Sequence, residues 1–94
     1  MRESKVETYL KQRVRDTGGF TRKLAYVGRN GAPDELCGWP GVHILVETKR
    51  PSGPGAEAHQ AREHDRLRGA GFVVEVVHTL DQVDALVMKY ARRG

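Results

Sequence analysis

A single cysteine, Cys37, stands in this 94-residue sequence. With no second thiol an intramolecular disulfide is excluded, and the chain suits a reducing compartment. Aromatic residues are scarce, limited to Phe20, Phe72, Trp39 and three tyrosines. So little aromatic bulk promises one modest core, with part of the stability expected from an oligomer interface. Long apolar runs are missing as well. The strongest, FVVEVV over 72–77, is short and holds Glu75, so no segment is expected to span a membrane. The opening MRESKVETYL is charged and has no apolar signal core, which points to the cytoplasm. Repeats, linkers and low-complexity stretches are absent too, and a single domain over 1–94 is the expectation.

Acidic residues are the minority. Twelve Asp and Glu face sixteen Lys and Arg, for a net charge of +4. A small basic domain favours an anionic partner, nucleic acid being the commonest, although ordinary solubilising charge accounts for such a surplus equally well. An apolar fraction of 38%, spread along the chain, argues against disorder.

The chain divides by its periodicities. Val6, Leu10 and Val14 recur at helical spacing until Gly18-Gly19. FTRKLAYV (20–27) alternates as a first strand, and GRNGAPD (28–34) is a turn. ELC makes a short second strand, GWPG a hairpin turn, and VHILVETK a third strand. Residues 56–70 read as a polar helix anchored on Leu67, and 72–77 as a buried strand. The final helix opens with a capping box, Thr79 and Gln82, and carries its apolar stripe on Leu80, Val83, Leu86, Val87 and Tyr90. Arg92-Arg93 then favour the negative end of its dipole. The order α-β-β-β-α-β-α, with a helical crossover before the last strand, predicts an α/β fold: a mixed central sheet with flanking helices.

The candidate chemistry begins at ILVETKRPSGPG (44–55). Side chains alternate along a strand, so Glu47 and Lys49 share one face, roughly 7 Å apart, while Ile44 and Val46 face the core. Asp34 begins the second strand, and the GWPG hairpin brings it opposite Glu47. Two carboxylates with the Thr48 carbonyl suit a hard divalent cation such as Mg²⁺ and leave room for a phosphate and a water. Lys49 would orient that water or stabilise charge on the phosphate. A Glu-x-Lys at a strand end is also a common solvent-exposed pair of little energetic worth. Zinc is improbable: His43, His59, His64 and His78 with Cys37 form no CxxC and no i,i+4 histidine pair. His43 shares the Glu47 strand face, and His59 and His64 are too far apart in register to share a helix face. The glycines of PSGPG lack a P-loop lysine and suggest a loop over substrate.

The run GAPDEL…ILVETKRPSGPGAEAHQ…LRGAGFVVEVV resembles the PD-(D/E)XK nuclease superfamily and, more narrowly, the small stand-alone VRR-NUC nucleases of phages and bacteria. The likeness covers nearly the whole chain. It rests on a helix-1 acid (Glu3 or Glu7), Gly31 to Asp34, Glu47 to Lys49, Gln60, and Leu67 with Gly71. The resemblance implies a restriction-endonuclease-like core in a bacterial or phage-infected cell. It implies Asp34, Glu47 and the Thr48 carbonyl as ligands of Mg²⁺ or Mn²⁺, and Lys49 as the catalytic lysine. Glu3 is preferred as the helix acid, because related junction-cleaving nucleases place it three residues before the first apolar anchor; Glu7 is the alternative. Gln60 either hydrogen-bonds near Lys49 or faces solvent. Arg13, Arg15, Arg22, Lys23, Arg29 and Arg50 are the candidate phosphate contacts. Thr48 departs from the pattern, which commonly has an apolar residue there, but only its carbonyl would serve. The expected function is a metal-dependent DNA endonuclease, a homodimer selective for Holliday junctions or other branched DNA. The alternative is a DNA-binding module with a nuclease-like fold that does not cut; an oligomerisation domain is more remote.

Overall fold

The computed structural model describes residues 4–49 and 58–91. Glu3, Arg50, the RPSGPG loop, the expected helix start at 56 and Arg92-Arg93 lie outside the described residues.

Helix α1 (Lys5–Asp16) starts where the Ser4 hydroxyl accepts the Glu7 amide at 3.0 Å. It ends at Thr17, with Gly18 at φ +88° and the Gly19 amide donating back to the Val14 carbonyl. A left-handed residue just past a helix satisfies the last carbonyls, which is why glycine sits there. Strands β1 (Phe20–Lys23), β2 (Glu35–Trp39) and β3 (Val42–Thr48) are followed by α2 (Ala58–Gly69), β4 (Val74–Val77) and α3 (Leu80–Ala91). The sheet runs β1-β2-β3-β4, with β1–β2 and β2–β3 antiparallel and β3–β4 parallel. Thus the mixed sheet and its crossover, expected from the sequence, are present. Pro40 and Gly41, at φ +77°, turn the β2–β3 hairpin, the proline–glycine pairing that a tight two-residue turn favours.

Strand alternation divides the sheet into two faces. Cys37, Trp39, Ile44, Val46 and Val77 project to one side and pack with Val6, Leu10, Val14, Val83, Leu86, Val87 and Tyr90 of α1 and α3. This is the core. Its edge is fixed by the Trp39 indole, which donates to the Thr17 hydroxyl at 2.9 Å. Gly19 is required beside it, since a Cβ there would stand 2.5 Å from the Gly38 carbonyl oxygen. At α3 the capping pair forms with one change: the Gln82 amide donates to Thr79 Oγ1, while Gln82 Oε1 accepts from the His78 amide.

Three elements are shorter or differently anchored than their patterns suggest. β1 stops at Lys23 instead of running to Val27. The Leu24 amide still bonds the Asp34 carbonyl, but then the chain leaves the sheet, because the Tyr26 hydroxyl reaches Glu63 on α2. β4 begins at Val74, with Phe72 and Val73 half exposed. In α2 the buried residues are Glu63 and His64, while Leu67 is only partly covered.

Candidate active site

The hairpin register pairs Glu35 with Val46, so Asp34 and Glu47 lie across from each other at the neighbouring ends of β2 and β3. Asp34 Oδ2 accepts two hydrogen bonds from Thr48, from its amide and its hydroxyl, both at 2.9 Å. That clasp holds the carboxylate against the strand end. Glu47 is 3% exposed. Burial first, then the neighbouring Asp34 charge, push its carboxyl up to about 7, with Lys49 acting in the opposite sense. The Lys49 ammonium is 3.4 Å from Glu47 Oε2 and donates to Gln60 Oε1 at 2.6 Å. So four sequence-derived candidates, Asp34, Glu47, Lys49 and Gln60, are brought together, with Thr48 between them. Of the two readings of Gln60, the structure has the one in which it meets Lys49.

Sequence reasoning missed His64. It lies one turn after Gln60 on the same face of α2, 2% exposed, with Nε2 3.8 Å from Glu47 Oε1. Burial foremost, and the cations Arg68 and Lys49, lower its pKa, which keeps the ring neutral. Neither His64 Nε2 nor Glu47 Oε1 has a hydrogen-bond partner among the described residues. The available signal was the i,i+4 spacing from Gln60, which places both side chains over the Glu-x-Lys strand. His43, by contrast, is exposed at the opposite end of β3.

The helix-1 acid occupies a different setting. Glu7 is 6% exposed and accepts from Lys23 at 2.6 Å, with Lys11 4.0 Å away. Burial raises its carboxyl, but the facing Glu35 carboxyl and the Lys23 ammonium outweigh it and hold it below the ordinary range. Glu35, fully buried, faces it, with the Lys11 ammonium at 3.4 Å. Burial above all, then Glu7, raise the Glu35 carboxyl to about 7. Lys23 sits between this pair and the hairpin site, its ammonium stabilised mainly by Glu7 and further by Asp34 and Glu35. Glu3, the preferred acid, lies outside the described residues, as does Arg50.

The other basic candidates are dispersed. Arg13 is tied to Asp84 at 3.0 Å, alongside the Tyr9 hydroxyl. Arg15 and Arg22 line a groove with Lys11, and Arg22 lies over the Phe20 ring. Arg29 lines a separate cavity with α2.

Among the described residues no group of three or more His, Cys, Asp or Glu side chains forms a ready metal cage. Two carboxylates and a strand-end backbone nonetheless fit a hard cation that keeps most of its waters. The buried Glu47 Oε1, an acceptor with no donor, is an atom that a cation would satisfy. No helix among the described residues is long and apolar enough to cross a membrane.

No family model matches the chain. It is 40% identical over 82 residues to "Putative nuclease p44" of Acyrthosiphon pisum secondary endosymbiont phage 1, covering 86% of this chain and 87% of that protein. A solved structure described as a VRR_NUC domain superposes with a TM-score of 0.83 at 45% identity, over 88% of this chain and 90% of the other. At that identity and coverage of both chains, the chain belongs to the VRR-NUC family, with the PD-(D/E)XK nuclease fold.

Proposed function

We propose that this chain is a metal-dependent DNA endonuclease that hydrolyses phosphodiester bonds. The observation that carries the reading is the convergence of Asp34, Glu47 and a Gln60-bound Lys49 at one sheet end. Asp34, Glu47 and the Thr48 carbonyl would hold Mg²⁺ or Mn²⁺, joined by Glu3 or, as the alternative, by Glu7 of helix α1. When bound, the cation supplies a water of lowered pKa and neutralises charge on the phosphate. Asp34 is kept in place by Thr48, so its orientation does not have to be set at the moment of reaction. Gln60 Oε1 accepts a hydrogen bond from the Lys49 ammonium, which also faces Glu47 and has a further N–H for the attacking water or a phosphate oxygen. Burial and the neighbouring Asp34 charge disfavour ionisation of Glu47, and a bound cation would favour it.

Holliday junctions or other branched DNA are the proposed substrate and a homodimer the proposed state. One chain carries one such site, and cutting two strands symmetrically takes two sites about a two-fold axis. The half-exposed Phe20, Phe72 and Val73 supply apolar surface for such a contact. Incubation with labelled linear, forked and four-way DNA, with and without Mn²⁺, tests the reading. Mn²⁺-dependent cuts, faster on branched substrates and lost in Lys49→Ala, are expected. Cutting by Lys49→Ala at the parent rate overturns the catalytic assignment. Equal rates on linear and branched DNA overturn the selectivity, and a monomeric mass by light scattering with DNA bound overturns the dimer.

A further inference from the structure

We infer that the cavity between the 26–31 loop and α2 is a phosphate subsite, which seats a backbone phosphodiester of the DNA strand flanking the one to be cut. This rests on the nuclease reading and adds a contact to it. The cavity, about 300 Å³, is lined by Arg29, Asn30, His59, Arg62, Glu63 and Arg66. Three guanidiniums against one carboxylate leave the lining with a surplus of positive charge.

Glu63 is what distinguishes this cavity from a scatter of surface arginines. It is 7% exposed, whereas the Arg29 and Arg66 side chains are more than half exposed. The carboxylate therefore forms the floor and the cations the rim. Glu63 accepts from the Tyr26 hydroxyl at 2.6 Å, from Arg66 at 2.9 Å and from Arg29 at 3.4 Å. The Tyr26 bond, foremost, holds its carboxyl below the ordinary range against the effect of burial. Two long side chains from different segments are thus fixed by one anion before any ligand arrives, which reduces the ordering cost of binding. Each guanidinium has five N–H donors and spends few on Glu63, so donors remain for phosphate oxygens. The Arg62 side chain makes no hydrogen bond or ion pair with the described residues.

The position favours a nucleic-acid strand over an unattached anion. The loop that supplies Arg29 and Asn30 continues directly into Pro33 and Asp34, and the helix that supplies Arg62 and Arg66 also supplies Gln60 to Lys49. The subsite and the candidate active site therefore share α2 and adjoin along the chain segment that leads to Asp34.

Arg62→Ala is the test, since Arg62 supports no described contact and its loss opens no core. With Ca²⁺ replacing Mn²⁺ to stop turnover, affinity for branched DNA should fall about tenfold at physiological salt. The slope of log affinity against log salt should become shallower by about one phosphate contact. Arg62→Lys should recover most of the affinity. A scan with single uncharged methylphosphonate linkages should find one flanking position that weakens the parent and leaves Arg62→Ala unaffected. In turnover KM should rise while kcat stays within about twofold. A parent that cuts DNA while Arg62→Ala binds with the same affinity and slope overturns the subsite and leaves the nuclease reading standing. A methylphosphonate profile identical in parent and variant overturns it as well. A parent that neither binds nor cuts DNA overturns both.

Discussion

The two faces of the sheet solve opposite problems. On the α1–α3 face the helices bury Val6, Leu10, Val14, Val83, Leu86 and Val87 against Cys37, Ile44 and Val46, an arrangement stabilised by removal of apolar surface from water. On the α2 face the helix buries a glutamate and a histidine, and the strands opposite it present Glu47 and Lys49. Burying charges without full pairing costs stability. The apolar face must offset that cost. A small domain can hold a polar, partly unsatisfied cluster when most of its other side is apolar and well packed.

That contrast predicts which measurement each substitution moves. Lys49→Ala, on the polar face, should lower cleavage by several orders of magnitude and shift unfolding free energy by less than about 1 kcal/mol, since no core cavity opens. Leu10→Ala does the reverse: the side chain is fully buried, and about 2–5 kcal/mol of stability should go in denaturant unfolding. Its turnover per folded molecule should stay near the parent value. If Leu10→Ala lost turnover while remaining folded, the division of labour between faces would fail.

His64→Leu sharpens the contrast. It replaces a buried ring with an unpartnered Nε2 by an apolar side chain, so stability should hold within about 1 kcal/mol. Turnover should fall roughly tenfold, because Glu47 loses its polar neighbour. Unchanged turnover would show that His64 only fills space.

The smallest effect concerns Glu35, buried beside Glu7 on the α1–α3 side of the sheet. Its carboxyl is raised to about 7, so between the ordinary glutamate range near pH 4.5 and pH 7 the folded chain holds a proton that the unfolded chain has released. Its contribution is most favourable below that range and is lost as pH rises through 7. Glu35→Gln should therefore gain on the order of 1 kcal/mol at pH 8 and flatten the stability profile over that interval. Thermal unfolding across pH checks this. A variant that is less stable at pH 8 would mean that the Glu7–Glu35–Lys11 contact is a net support.

Much of this was legible from residues alone. Val6, Leu10 and Val14 gave the first helix because their period matches a buried stripe, and Asp34 could be set against Glu47 because a proline–glycine hairpin fixes register. What escaped was decided by contacts distant in sequence. No local pattern said that Tyr26 would leave the β1 edge for Glu63, or that α2 would anchor through Glu63 and His64 in place of Leu67. Arg13 and Lys23 looked like phosphate ligands in a list of charges. Asp84 and Glu7, 71 and 16 residues away, engage them in the fold.

Asp34 holds the hairpin end as well as standing in the site. Its Oδ2 carries both Thr48 bonds, so losing the carboxylate releases a strand end along with the proposed cation ligand. An alanine there confounds two effects, and asparagine, which keeps an oxygen acceptor, is the cleaner control. The same dual role constrains drift over generations. A lineage that no longer needed to cut DNA would still be penalised for discarding this acid, whereas Lys49 carries no such insurance. Decay of the activity should begin at the lysine.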